Sequence, residues 1–393
     1  MRYCILLFIF LVLSPMNGQE TANDAFFQDD IVVGAERFAE YLPLLEGKTV
    51  AAVVNQTSMV GSQHLVDVLQ TKGVLFKHIF APEHGFRGKE DAGAHIADGK
   101  DPKSGLSVFS LHGKSKKPSP EQLEGIDLVI FDIQDVGARF YTYISTMHYV
   151  MEACAEQGIT VLILDRPNPN GHYVAGPIRK EGFDSFVGMH PIPIVHGLTV
   201  GELACMVNEE SWLAGGKQCK LDVIPCENYT HQSRYRLPVK PSPNLPNMKS
   251  IYLYPSLCLF EATNASVGRG TDKQFQVIGV PKGSYDFEFV PAPKPGAMHP
   301  KLEGQKLSGI DFSSYQLDEL YEMGLDLSYL FAFEKAAGPD FVNPTNFFNK
   351  LAGTDQVLLS LENGSWEELE RSWEPELTEY RILRAKYLLY PEN

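Results

Sequence analysis

Glu83, His84 and Arg87 stand within five residues, in Ala81-Pro82-Glu83-His84-Gly85-Phe86-Arg87-Gly88, beside two glycines. A carboxylate, an imidazole and a guanidinium in one turn can transfer a proton and hold an anion. The glycines lack a Cβ, so the backbone there can approach a ligand closely. Glu83 is hard to read as core, because an isolated buried carboxylate is costly. It is the first candidate for a proton donor or acceptor, whereas His84 reads equally well as a buried hydrogen-bonding histidine.

Three further loops carry comparable groups. The second is Asp132-Ile133-Gln134-Asp135-Val136-Gly137-Ala138-Arg139-Phe140-Tyr141, the third Asp165-Arg166-Pro167-Asn168-Pro169-Asn170-Gly171, and the fourth His196-Gly197-Leu198-Thr199. Asp132 and Asp165 read equally well as loop caps or partners of Arg166, and His196 as a core histidine. The second half of the chain adds Asn244, Glu261 and the run Gly268-Arg269-Gly270-Thr271. Arg269 between two glycines offers a guanidinium together with backbone amides to an anion. The competing reading is a tight turn with a solvated arginine.

Strands and helices must bring these loops together. The pattern predicts strands at Lys48–Val54, Phe76–Ala81, Ser107–Leu111, Asp127–Phe131 and Thr160–Leu164. It predicts helices at His64–Lys72, Tyr141–Gln157, from Thr199 through Trp212, Leu327–Ala337 and Trp366–Leu389, with a helical turn at Pro120–Glu124. Runs that are apolar throughout and alternate with helices indicate a parallel sheet covered on both faces. In such a sheet the carboxyl ends of the strands share one edge, where ligands bind. Four polar loops on that edge predict a cleft. Thr199-Val200-Gly201-Glu202 reads as a capping box. The proline-rich stretch from Leu237 to Pro255 reads as an extended connection. The expected division is a leader at 1–18, an α/β Rossmann-like catalytic domain at 24–249, and a smaller α+β domain at 250–393 that closes the cleft.

A net charge of −15 argues against non-specific nucleic-acid binding, which needs basic surface. Hydrophobic residues make up 44% of the chain, enough for a substantial core. Arg2, the apolar run Cys4–Leu13 and the small residues before Gly18 read as an export signal, too short to span a bilayer. The expectation is an exported, periplasmic protein without stable membrane insertion. Removal of the leader leaves five cysteines. Cys154 and Cys205 read as buried hydrophobes, and Cys219 with Cys226 is the one candidate disulfide. There is no Gly-x-Gly-x-x-Gly after a strand, no phosphate loop, no Gly-x-Ser-x-Gly elbow and no His-Glu-x-x-His.

Taken together, Pro82–Gly88, Asp132–Tyr143, Leu164–Pro169 and Gly268–Thr271 resemble the NamZ-like family of bacterial exo-β-N-acetylmuramidases. The resemblance extends over essentially the whole mature chain. It implies a Rossmann-like first domain, a smaller α+β second domain and an active cleft between them. It also implies release of N-acetylmuramic acid from the non-reducing end of peptidoglycan fragments, with Glu83 at the position of the family's proposed catalytic residue. Glycoside hydrolysis usually needs an acid on the leaving oxygen and a second group on the opposite face. Glu83 is the expected acid. Asp135 is the first choice for the second carboxylate, ahead of Asp132 and Glu261, unless the substrate's acetamido group attacks and Asp135 only orients it. Muramic acid carries a lactyl carboxylate, for which Arg139, Arg166 and Arg269 are candidates, and Tyr141 is placed to stack on the ring. His84, Arg87, Asp165, His196, Asn244 and Thr271 complete the expected substrate-binding set. The partner is a saccharide or muropeptide, and the mechanism calls for no metal or other cofactor. Two alternatives stay open: a periplasmic saccharide-binding protein, and a metal-dependent hydrolase built on His84, Asp132, Asp135 and His196.

Overall fold

Alternation within the apolar strands builds the sheet. In Leu128–Asp132, residues Leu128 and Ile130 enter the core on one face, and Val129 and Phe131 the core on the other. The same split holds in Thr49–Val54 and Thr160–Leu164. Successive side chains of a strand point to opposite faces, so a strand covered on both sides must be apolar at every position.

The computed structural model describes residues 26–83, 85–87, 98–113, 115–338 and 340–393. The leader expected at 1–18 and the role expected for His84 lie outside the described residues. The main sheet comprises β1 (Thr49–Val54), β2 (Leu75–Ala81), β3 (Gly99–Lys100), β4 (Ser107–Ser110), β5 (Leu128–Asp132), β6 (Thr160–Leu164) and β7 (Lys220–Ile224). Its order is β3-β4-β2-β1-β5-β6-β7. Every neighbouring pair is parallel except the short edge strand β3 on β4. From β1 the chain steps to β2 on one side and later to β5 on the other, so the strand order reverses there. That is the Rossmann-like arrangement, and the carboxyl ends of β1, β2, β5 and β6 open onto one edge.

Helix α1 (Tyr143–Gln157) packs on one face and stops at Gly158, which takes a left-handed conformation with φ 70°. Helix α2 (Val200–Glu209) starts at the Thr199–Glu202 capping box and ends short of Trp212. The proline-rich connection is not extended throughout. Met248–Leu257 forms a helix, α3, capped by Asn247 with Ser250 and containing Pro255. Pro255 has no N–H for the carbonyl of Ile251, and the Asn170 side-chain amide donates to that oxygen instead, at 3.3 Å. This long-range partner is why the sequence pattern missed the helix.

The second half forms a smaller α+β unit. Its antiparallel sheet runs β8 (Val277–Val280), β10 (Leu307–Asp311), β9 (Phe287–Phe289) in space. The helix expected at Trp366–Leu389 is two, Trp366–Ser372 and Glu374–Arg384, with Pro375 in the first turn of the second. The tail then returns to the first half. The Tyr380 hydroxyl donates to His196 O (2.9 Å), Arg384 Nε to Gly197 O (2.9 Å) and the Tyr390 hydroxyl to Asp165 Oδ2 (2.6 Å). Cys154, Cys205, Cys219, Cys226 and Cys258 are all free thiols, so Cys219 and Cys226 are not joined.

Candidate active site

Glu83 leaves the carboxyl end of β2 in a tight turn, with Gly85 at φ 74° and its N–H on Pro82 O. Its half-buried side chain lines a cleft of about 230 Å³. Phe140, Tyr141 and Tyr143 come from the second loop and the start of α1, Ser242 and Asn244 from the segment before α3, and Glu261 and Arg269 from beyond it. The Tyr143 hydroxyl reaches the Glu83 carbonyl at 3.5 Å. Burial, and after it the negative charge of Glu83, hold that phenol ionised only well above its ordinary range.

One wall is aromatic. Tyr141 meets Tyr143 edge-to-face at 5.0 Å and Tyr254 at 5.8 Å, and Tyr254 meets Phe140 at 5.3 Å and Phe275 at 5.1 Å. Edge-to-face rings fix one another's orientation. The Tyr141 hydroxyl donates to Pro241 O at 2.8 Å, which keeps the polar tip satisfied and the ring against the cleft.

The other wall is charged. Arg269 Nε lies 3.1 Å from both carboxylate oxygens of Glu261. Its guanidinium carbon is 5.2 Å from the centre of the Phe275 ring. Gly268 adopts φ 79°, and a Cβ there would sit 2.5 Å from the Lys273 carbonyl, so the turn that presents Arg269 requires glycine. Lys301 donates to the carbonyls of Phe260, Glu261 and Thr263 at 3.0, 3.0 and 2.8 Å, which holds the short helix Cys258–Ala262 that carries Glu261. Asn244 donates to Gly296 O at 2.8 Å, while its side-chain oxygen is buried without a hydrogen-bond partner among the described residues.

Glu83, Tyr141, Asn244, Glu261 and Arg269 therefore meet in one cleft; among the described residues, the other expected ones do not line it. Asp132 and Arg166 form a buried two-pronged pair, Nε to Oδ1 at 2.5 Å and Nη2 to Oδ2 at 2.9 Å. That pairing occupies the guanidinium expected for a substrate carboxylate. Asp165 accepts from Thr199 Oγ1, the Gly201 N–H and the Tyr390 hydroxyl, so it caps α2 and anchors the tail. Arg87 turns away to Asp101 and Asp67. Thr271 closes its own turn by donating to Gly268 O at 2.6 Å.

Arg139 is fully buried, and its terminal nitrogens reach four carbonyls: Pro177 (2.8 Å), Ile192 (2.7 Å), Leu351 (3.0 Å) and Ala352 (2.6 Å). It ties the two halves together rather than meeting a ligand. Asp135 is buried too. Its Oδ2 accepts the Gly137 N–H at 2.7 Å, its Oδ1 is buried without a hydrogen-bond partner among the described residues, and burial pushes its carboxyl up to about 7. His196 Nε2 lies 3.9 Å from Asp135 Oδ2, and burial pushes this imidazole down to about 3. Asp135 acts electrostatically on Tyr141 and Tyr143 without lining the cleft itself. Of the residues in the metal-hydrolase reading, Asp132 is locked to Arg166 and His84 lies outside the described residues. Among the described residues, no three of His, Cys, Asp or Glu are grouped to hold an ion.

Tyr143, Tyr254, Phe275 and Phe347 also line the cleft and are not among the residues expected there from the sequence. Tyr143 opens α1 beside the second loop, which was the available signal. Nothing local marks the other three.

The family model described as exo-beta-N-acetylmuramidase NamZ, N-terminal, matches residues 50–249, and its C-terminal counterpart matches 252–390. The peptidoglycan beta-N-acetylmuramidase NamZ of Bacillus subtilis strain 168 is 37% identical over 96% of this chain and 94% of its own length. Two crystal structures of DUF1343-family proteins from Bacteroides fragilis NCTC 9343 share the fold. One has TM-score 0.86 and 46% identity, covering 93% of this chain and all of that one. The other has TM-score 0.78 and 29% identity, covering 92% and 99%.

Proposed function

The chain belongs to the exo-β-N-acetylmuramidase NamZ family, and we propose that it is a glycoside hydrolase that removes a non-reducing-terminal N-acetylmuramic acid from peptidoglycan fragments. The observation that carries the reading is the juxtaposition in one cleft of a half-buried carboxyl, Glu83, an aromatic wall and the Arg269 guanidinium. At about 230 Å³ the cleft is smaller than the roughly 300–1,000 Å³ of pockets that bury drug-sized ligands. It suits one terminal sugar, as exo-hydrolysis requires.

In this reading Glu83 gives its proton to the glycosidic oxygen as the bond from the anomeric carbon breaks. The Tyr141 face supports the ring. Arg269 keeps its Nε on Glu261 and turns its Nη groups to the lactyl carboxylate. In this reading the attack on the anomeric carbon falls to the substrate's own acetamido oxygen; among the described residues, Asp135 does not line the cleft and Glu261 is held by Arg269. An oxazolinium forms; water opens it and returns a proton to Glu83.

The test is incubation with the disaccharide N-acetylmuramyl-β-1,4-N-acetylglucosamine and mass detection. Free muramic and glucosamine products are expected. Tight binding without cleavage would move the chain to the saccharide-binding reading. We also propose export to the periplasm, from the charged start and the apolar run Cys4–Leu13. Among the described residues no helix is long and apolar enough to cross a membrane. N-terminal sequencing of protein from fractionated cells tests this, and an intact Met1 in the cytosolic fraction would overturn it.

A further inference from the structure

Phe347 is an anomaly in this cleft. The deep lining residues Phe140, Tyr141, Tyr254, Phe275 and Leu351 are buried, yet the Phe347 ring, which lines the same cavity, is 41% exposed. Its helix, α4 (Phe347–Ala352), is firmly held. Phe348, Leu351 and Ala352 are buried, Arg139 takes the carbonyls of Leu351 and Ala352, and Gly353 ends the helix at φ 76°. The ring is thus carried at the mouth of the cleft on a fixed element, with its own face left in water. A lone exposed apolar residue on a surface needs no explanation. One mounted at the rim of a cavity that holds a catalytic carboxyl does.

Exo-hydrolysis decides what meets it. When the terminal sugar fills a cleft of this size, the leaving group lies at the mouth. The C–H face of a pyranose is apolar and matches an aromatic ring. We infer that Phe347 is the platform for the sugar on the leaving-group side, so that it selects a saccharide aglycone over a leaving group without a ring. This rests on the function proposed above.

The experiment compares two substrates of the full chain: the muramyl-glucosamine disaccharide and β-muramyl azide, whose small linear leaving group has no face to stack. The readout is the ratio of kcat/KM for disaccharide to that for azide. Phe347→Ala lowers that ratio about tenfold, mainly through KM for the disaccharide. Phe347→Leu, which keeps the apolar bulk without the ring, lowers it comparably, and Phe347→Trp restores it. A ratio unchanged in both Phe347→Ala and Phe347→Leu overturns the inference, as does full retention by Leu alone. A wild-type chain that cleaves neither substrate overturns the proposed function instead, so the two failures are distinct.

Discussion

Arg269 presents its Nε edge to Glu261, 3.1 Å from each carboxylate oxygen, and so is held from behind. A guanidinium has five donors in a rigid fork. With the Nε edge taken, the two terminal nitrogens remain to meet a second carboxylate side-on. Lys301 holds the backbone around Glu261 through the carbonyls of Phe260, Glu261 and Thr263, and Gly268 and Gly270 permit the tight turn that presents Arg269. The charge is therefore pre-oriented before any ligand arrives, which lowers the entropy lost on binding.

If that fork recognises the lactyl carboxylate, Arg269→Met weakens muramyl substrates selectively. Hydrogen bonds to charged groups contribute about 1.5–3 kcal/mol, so KM for the muramyl disaccharide rises roughly 10- to 150-fold. A glucosamine-terminated analogue, which lacks the lactyl ether, shows no comparable change. Steady-state kinetics on both substrates check this. A variant that keeps the wild-type preference for muramyl ends removes Arg269 from recognition.

Glu83→Gln keeps the shape of the turn and removes the proton. Turnover of the disaccharide falls at least ~10²-fold, the usual scale for lost general acid catalysis, with an unchanged melting temperature. The loss shrinks on a substrate whose leaving group needs no protonation, such as an activated aryl glycoside. Equal losses on both substrates would deny Glu83 the acid role.

Arg139 is a structural arginine, and its removal is read in stability. Arg139→Met strips donors from four carbonyls on three segments, which costs roughly 3–5 kcal/mol in denaturant unfolding. Gly353→Ala acts at the same contact, because it needs φ 76° and its Cβ would lie 2.6 Å from Arg139 Nη2. It is expected to destabilise too. A loss under about 1 kcal/mol in Arg139→Met would show that the carbonyls find other partners.

The sequence made the sheet legible because both-face burial writes itself into runs such as Leu128–Phe131, and the Thr199–Glu202 box wrote the start of α2. Strand-end carboxylates were ambiguous for a physical reason. Asp132, Asp135 and Glu83 occupy equivalent places after strands, and only the fold decides which meets an arginine, a backbone amide or a cleft. The partners of Arg139 at Leu351 and Ala352 lie more than two hundred residues away, so no local pattern signals them. Helix α3 was hidden by Pro255, since the Asn170 side chain that tolerates it is remote in sequence. Of the adjacent rings Phe347 and Phe348, composition cannot say which faces the core.

Asp135 makes stability depend on pH. Its folded carboxyl titrates near about 7 because burial disfavours the charge, against ~3.9 in an unfolded chain. A raised carboxyl is favourable while protonated, so its stabilisation is full below the unfolded value and drains away as pH rises through the folded one. The window is about pH 4 to 7, and the loss is at most about 4 kcal/mol. Asp135→Asn cannot ionise. Melting temperatures of the two proteins should therefore diverge in favour of the variant between about pH 4 and about pH 7. A constant difference across that range would place the titration elsewhere.

The attacking group is separable by substrate chemistry. If the acetamido oxygen closes on the anomeric carbon, its nucleophilicity sets the rate. Replacing the acetyl methyl hydrogens stepwise by fluorine withdraws electron density from that oxygen without changing the protein. Relative kcat/KM should then fall steeply from acetamido to trifluoroacetamido, by at least ~10²-fold, about 3 kcal/mol in the barrier. A carboxylate nucleophile from the protein would show only a shallow dependence. That outcome would return the role to the protein, and Glu261, already on the cleft, would be the residue to vary next, with Glu261→Gln separating attack from its hold on Arg269.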